Sequence, residues 1–331
     1  MDDSRILRWA IIGTGFISET MVEAIASCAG SRIELVAGRS AQRAAAFADR
    51  HSIPRSCEGY ETAVADPEVD VVYVGTPSHA HHEVVAAAAA AGKAILSEKS
   101  LTTTMADAHR LVDAVEGRVF FVEGLMYLAH PVIDRFRELL TDPRTGTVTA
   151  IHAGYAADIG AVVNPLGGGT IYNLGCYPAS LLHLTVQSAF GDDAFGDRRL
   201  AAHGTRTPDG TIGSTTASIR FGNDVLATLS SSDDYGMAFD VTVLTTTGEL
   251  RFLTNPWLPV AGDNQLRWTP YDGAPETFAV TSDGDGFIHQ VRLVERAIAA
   301  GRTEVERPSP RLGDSLEIMS LLTEWEAACA G

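Results

Sequence analysis

Gly13, Gly15 and Ser18 are spaced Gly-x-Gly-x-x-Ser between an apolar run at 9–12 and a helical pattern that starts at residue 17. That setting suits a dinucleotide pyrophosphate. The first glycine permits a tight turn, the second lets backbone approach the ligand, and a small third residue lets helix pack on strand. The helix opens at Ile17, directly after Phe16, and its free N–H groups and positive dipole end favour an anion. The alternative is a merely structural turn. A second apolar run ends in Gly38-Arg39-Ser40, with Arg43 shortly after. NAD-binding sheets usually carry Asp or Glu there for the ribose 2′-hydroxyl. Arg39 and Arg43 can instead pair with a 2′-phosphate, helped by the Ser40 hydroxyl, so NADP(H) is favoured and NAD stays possible. The other reading is two solvated arginines at a helix start. Lys99 follows an apolar run at 94–97, at the strand end where open α/β sheets bind ligands. Burial beside a nicotinamide cation would lower its pKa toward neutrality, fitting it to exchange the proton of a secondary alcohol. A surface lysine at a strand end is the ordinary alternative.

The elements that must position these residues alternate. Runs at 9–12, 32–37, 69–74, 94–97 and 119–122, rich in Val and Ile, are separated by helical patterns at 17–29, 41–50, 82–91 and 105–115. This alternation predicts an α/β domain with a doubly wound parallel sheet over residues 1–124. From Gly124 the pattern changes. A helix at 131–140 precedes strand-like runs at 148–156, 215–221, 225–230, 239–245 and 249–253, with Gly222-Asn223 and Thr247-Gly248 placed for hairpin turns. Helices at 286–300 and 314–328 close the chain. Residues 125–331 therefore read as a second α/β domain with a largely antiparallel sheet, in which Gly167-Gly168-Gly169 is a flexible loop.

Length and charge exclude several classes. At roughly 150 residues per domain, 331 residues predict two domains. Acidic residues outnumber basic ones 42 to 25, a net charge of −17 that repels phosphate backbones, so no nucleic-acid partner is expected. The longest apolar run, 84–91, is far shorter than the roughly 20 residues of a membrane span. No basic and apolar leader opens the chain, which favours the cytoplasm. Four scattered cysteines without a CxxC pair fit reduced thiols. His79, His81 and His82 lack a second ligand cluster, so no metal is expected.

Further motifs run along the whole chain: Gly75-Thr76-Pro77 with His81, Glu98-Lys99, Glu123-Gly124-Leu125-Met126-Tyr127, His130-Pro131, the triple glycine with Asn173-Leu174-Gly175-Cys176-Tyr177, and Asp314-Ser315-Leu316. Together they make the chain resemble the Gfo/Idh/MocA oxidoreductases, the group of glucose-fructose oxidoreductase, inositol dehydrogenase and dimeric dihydrodiol dehydrogenase. The resemblance implies a Rossmann domain followed by a domain with a largely antiparallel open sheet. It implies hydride transfer between a nicotinamide and a sugar, polyol or related cyclic alcohol or ketone, without metal. It adds Thr76, Pro77, His81 and Glu98 to the cofactor-binding residues, beside Lys99, which becomes the proton relay. Tyr177 stands where the family often has His or Tyr, so its phenol would bond the reacting oxygen and share the proton with Lys99; a tyrosine packed on a helix is the alternative. Asn173 falls where Asp is usual, and an amide can hold a hydroxyl but cannot act as a base. Tyr127 and His130 follow the last Rossmann strand, where the family builds part of its substrate pocket, with a core or capping role equally open for His130. Ser100 replaces the family's proline after Lys99. A homodimer or homotetramer through the exposed sheet of the second domain is also implied. Asn173 and Ser100 favour a competing reading, a cofactor-binding regulatory or sensor protein of the same fold without turnover.

Overall fold

The computed structural model describes residues 6–329. The first half runs β1 (Leu7–Ile12), α1 (Phe16–Ala26), β2 (Ser31–Gly38), α2 (Ala41–His51), β3 (Arg55–Glu58), α3 (Tyr60–Ala65), β4 (Val71–Val74), α4 (His81–Ala90), β5 (Ala94–Glu98), α5 (Met105–Val115) and β6 (Phe121–Gly124). After it come α6 (Pro131–Thr141), β7 (Val148–Ala157), α7 (Thr170–Asn173), α8 (Cys176–Phe190), β8 (Arg198–Arg206), β9 (Ile212–Phe221) and β10 (Leu226–Ser232). The chain closes with β11 (Met237–Thr245), β12 (Gly248–Phe252), β13 (Gly262–Pro270), β14 (Glu276–Ser282), α9 (Gly286–Ala299) and α10 (Leu312–Ala328).

Six parallel strands lie in the order β3-β2-β1-β4-β5-β6, so the chain reverses its direction of winding between β1 and β4. Carboxyl ends at such a switch point leave a crevice for a ligand. The strands are buried through β-branched and aromatic side chains: Val71, Val72, Tyr73 and Val74 are all inaccessible to solvent. Ser40 and Thr104 start α2 and α5 as N-caps, each accepting the backbone N–H three residues on. The core around Trp9, Ile11, Phe47 and Leu96 also contains Val291, Val294, Ala297 and Val305 from far along the chain. Ser31 joins them, accepting the Trp9 indole N–H at 3.0 Å and donating to Glu295 at 2.7 Å. The chain accordingly forms one compact unit up to Met126 together with Phe287–Ser315, and a second from Tyr127–Gly286 with the chain from Leu316 on. This differs from a single division at residue 124, because α9 and the segment after it bury their apolar side chains against the parallel sheet.

In the second unit eight strands follow the order β14-β13-β12-β11-β7-β10-β9-β8. Only the β7–β10 pairing is parallel, and hairpins join β9 to β10 and β11 to β12 at the expected turns. The triple glycine is not a flexible loop. A side chain at Gly168 would strike the Tyr172 ring at 2.5 Å and one at Gly169 the Ile212 carbonyl at 2.6 Å, so the run is a close-packed lead into α7. No described helix is long and apolar enough to cross a membrane.

Candidate active site

At the switch point the β1–α1 turn separates two demands on glycine. Gly13 has φ +120°, and a Cβ there would lie 2.5 Å from the Gly75 carbonyl oxygen, so the fold itself requires glycine. Gly15 faces open space: a Cβ would meet nothing within 4 Å. Protein packing does not ask for glycine at that position, whereas a pyrophosphate approaching the backbone would. No side chain caps α1, Phe16 stands 82% exposed at its mouth, and the buried Ser18 hydroxyl has no partner among the described residues. The turn therefore fits the phosphates of a dinucleotide.

At the end of β2, Arg39 and Arg43 are exposed, and neither forms an ion pair with a described residue. Most arginines in this acidic chain are paired, including Arg8 with Asp70 at 2.9 Å and Arg50 with Glu19 at 3.1 Å. Ser40 has a prior duty, since its hydroxyl oxygen accepts the Arg43 backbone N–H at 3.4 Å, leaving its own O–H to donate.

Beyond β4, Thr76 and Pro77 are half-buried and the Thr76 hydroxyl lacks a described partner. His81 differs from the expectation that it touches the cofactor. It is fully buried, with Nε2 2.8 Å from the Thr76 carbonyl and Nδ1 3.0 Å from the Ser100 carbonyl. Desolvation outweighs these carbonyls and holds the ring's pKa down to about 4, so the ring is neutral and its one N–H donates on one side only. His81 is a strut between the segments that follow β4 and β5.

Lys99 leaves the end of β5 half-buried, and the Lys99–Ser100 peptide is cis although Ser stands where proline would. The buried Glu98 beside it accepts the Tyr73 phenol at 2.9 Å and the Lys99 backbone N–H at 3.3 Å. Glu98 thus supports the backbone at Lys99. On the neighbouring strand the Glu123 carboxyl is also buried, and desolvation pushes it up to about 7.

In the second unit, Tyr127 is buried and its hydroxyl spent on the Tyr177 carbonyl at 3.2 Å and the Ser180 hydroxyl at 2.7 Å, which removes it from the expected substrate contacts. His130 is likewise buried and caps α6, its Nδ1 accepting the Val132 N–H at 3.2 Å. Asn173 remains half-buried, its amide donating to Asp233 at 2.7 Å. Tyr177 packs edge to face with Tyr155 at 5.4 Å, while Trp257 lies edge-on to Tyr127 at 5.4 Å and donates its indole N–H to the Gly154 carbonyl at 3.1 Å. Burial raises the Tyr155 phenol pKa, keeping it a neutral donor. Cys176 is buried, and none of the four cysteines is in a disulfide. Sequence reading singled out neither Tyr155, Trp257 nor Asp233, whose only signal is a partner dozens of residues away.

Comparison with known proteins agrees with this geometry. Residues 7–122 match the Gfo/Idh/MocA profile, described as an oxidoreductase family with an NAD-binding Rossmann fold. An uncharacterized oxidoreductase of Rhizobium meliloti is 31% identical over 275 residues, 78% of each chain. A trans-1,2-dihydrobenzene-1,2-diol dehydrogenase of Xenopus tropicalis is 27% identical over 330 residues, 96% of each chain. Among solved structures, a 3-ketoreductase from Actinomadura kijaniata in complex with NADP and TDP-benzene superposes with a TM-score of 0.84 at 23% identity, covering 97% of both chains. A levoglucosan dehydrogenase in complex with NADH and levoglucosan gives 0.82 at 19% identity, covering 98% of this chain and 97% of that one. Fold and turn define a nicotinamide-dependent oxidoreductase. The chain belongs to the Gfo/Idh/MocA family.

Proposed function

We propose that this enzyme is an NADP(H)-dependent dehydrogenase or reductase that interconverts a CH–OH group and a ketone on a sugar-like, polyol or other cyclic substrate, with Lys99 as the proton relay. The observation that carries the reading is the placement of Lys99, half-buried at the carboxyl end of β5 with Glu98 behind it, in the unit that holds the Gly13–Gly15 turn. A bound nicotinamide supplies the hydride acceptor or donor. Lys99 Nζ takes the hydroxyl proton during oxidation and returns it during reduction. The 2′-phosphate falls to Arg39 and Arg43, with the Ser40 hydroxyl as donor, and the diphosphate to the backbone of Gly15, Phe16 and Ile17.

For the substrate, Tyr177 offers a phenol and Asn173 an amide whose orientation Asp233 fixes. The Tyr155 and Tyr177 rings, set edge to face, supply aromatic surface suited to a ring. Cyclic substrates are supported by two similar proteins, a dihydrobenzene-diol dehydrogenase and a levoglucosan dehydrogenase. The exposed face of the eight-stranded sheet, where Leu226 is 55% exposed, is proposed to pair with a second copy.

The test is reduction of NADP+ across a panel of cyclic diols and polyols, with Lys99→Ala as control. The lysine reading requires a drop of about 10²- to 10⁴-fold in kcat, the usual share of a general acid or base, with NADPH binding retained. Turnover unchanged by that substitution would overturn it.

A further inference from the structure

Two carboxyl groups are buried at the ends of adjoining strands, Glu98 on β5 and Glu123 on β6, with Lys99 as the nearby cation. Their environments differ. Glu98 is supplied with donors, the Tyr73 phenol from β4 and the Lys99 N–H. Glu123 is poorly supplied: the Leu101 backbone lies close to it, but its Oε2 and the neighbouring Ser315 hydroxyl from α10 are both buried without a hydrogen-bond partner among the described residues. Gln290 from α9 reaches only the Glu123 backbone carbonyl, at 3.5 Å. The charged groups that act on Glu123 are Glu98, which disfavours its ionisation, and Lys99, which favours it. Gly124 allows this crowding, since a Cβ there would sit 3.0 Å from the Glu98 Cα and 3.4 Å from its carboxyl carbon.

Burying two ionised carboxylates beside one ammonium leaves an uncompensated charge, and an orphaned carboxylate oxygen adds a desolvation cost. A proton on one acid removes both penalties, and the donor pattern selects Glu123. We propose that Glu123 is a positioning residue for the reaction: its protonated carboxyl balances the Glu98–Lys99 pair, and its ionisation tightens the hold of Lys99 on the relayed proton. The inference rests on Lys99 being that relay. Oxidation requires Lys99 Nζ to be free to take the hydroxyl proton. An ionised Glu123 therefore pushes the acid-side limb of the oxidation profile, where activity rises as Lys99 loses its proton, to higher pH.

The first measurement is the pH profile of kcat/KM for alcohol oxidation by the full-length enzyme and by Glu123→Gln. The amide cannot ionise, so the limb is expected to move down by about one pH unit, with NADPH affinity unchanged. Coincident profiles overturn the proposal, because a merely structural role would lower activity without moving the limb. The second measurement needs no turnover. Infrared titration of wild-type protein should show a buried protonated-carboxyl band that titrates at about pH 7. Glu123→Gln should remove the band, and Glu123→Asp should shift it should the amide variant fail to fold. In Lys99→Ala the midpoint should rise, as loss of the cation favours the neutral acid. A band absent from wild type, or a midpoint indifferent to Lys99, refutes the coupling. Retained turnover in Lys99→Ala would refute only the relay.

Discussion

Replacing Arg39 and Arg43 isolates the cofactor phosphate from the stability of the fold. Both guanidinium groups are exposed and break no described ion pair when removed, so Arg39→Ala and Arg43→Ala should melt with the wild type. Their cost should fall on the ligand alone. A hydrogen bond to a charged group is worth about 1.5 kcal/mol at the lower, solvated end of its range, or roughly tenfold in Kd. Each variant should bind NADPH about tenfold more weakly. The double variant should lose somewhat less than the hundredfold of independent sites, since the two side chains share one phosphate. NADH lacks that phosphate and its affinity should stay within about twofold. Fluorescence titration with both nucleotides at low and high salt reads this directly, and the NADPH advantage should shrink as salt screens the exposed charges. Equal losses for NADPH and NADH, or a wild-type preference for NADH, would refute the assignment.

Trp257→Ala should destabilise the second unit by about 3–5 kcal/mol in chemical denaturation, because the buried indole packs against Tyr127 and satisfies the Gly154 carbonyl. The pH dependence of stability has two limbs. Glu123, held up to about 7 against an ordinary 4.5, keeps a proton that the unfolded chain releases, so its contribution is full below pH 4.5 and lost as pH rises to 7. His81, held down to about 4 against 6.5, works oppositely and weakens the fold as pH falls from 6.5. Two and a half pH units at roughly 1.4 kcal/mol each make either limb worth about 3 kcal/mol, and thermal melts of Glu123→Gln should lack the upper limb alone.

The parallel sheet was legible because its central strands are buried runs of Val and Ile, and the Gly13–Gly15 turn because its spacing is local. The edge strand Arg55–Glu58 is short and mostly exposed, so it carries no apolar pattern to read. Helix α8 is nearly enclosed over its first twelve residues, which erases the amphipathic stripe that marks a surface helix. The same limit applied to the site. Arg39, Arg43 and Lys99 could be named from residue type at a strand end. The types of His81 and Tyr127 suggested ligand contact, but burial turned them to backbone carbonyls and a core hydroxyl 53 residues on, while His130 took the helix-capping role that had been left open beside a pocket role. Neither burial nor a distant partner is written in a local pattern.

The return of residues 287–315 to the nucleotide-binding unit changes what counts as a separable module. Val291, Val294, Ala297 and Val305 complete the core that Trp9 begins. Phe121 on β6 also donates its backbone N–H to Thr303 at 3.2 Å. A chain cut after the sixth strand would present that apolar surface to water and leave the Glu295 partner of Ser31 missing. During synthesis the first strands leave the ribosome well before the helix that seals them. The amino-terminal half must therefore wait, partly assembled and with its greasy flank uncovered, until more than 280 residues have been made.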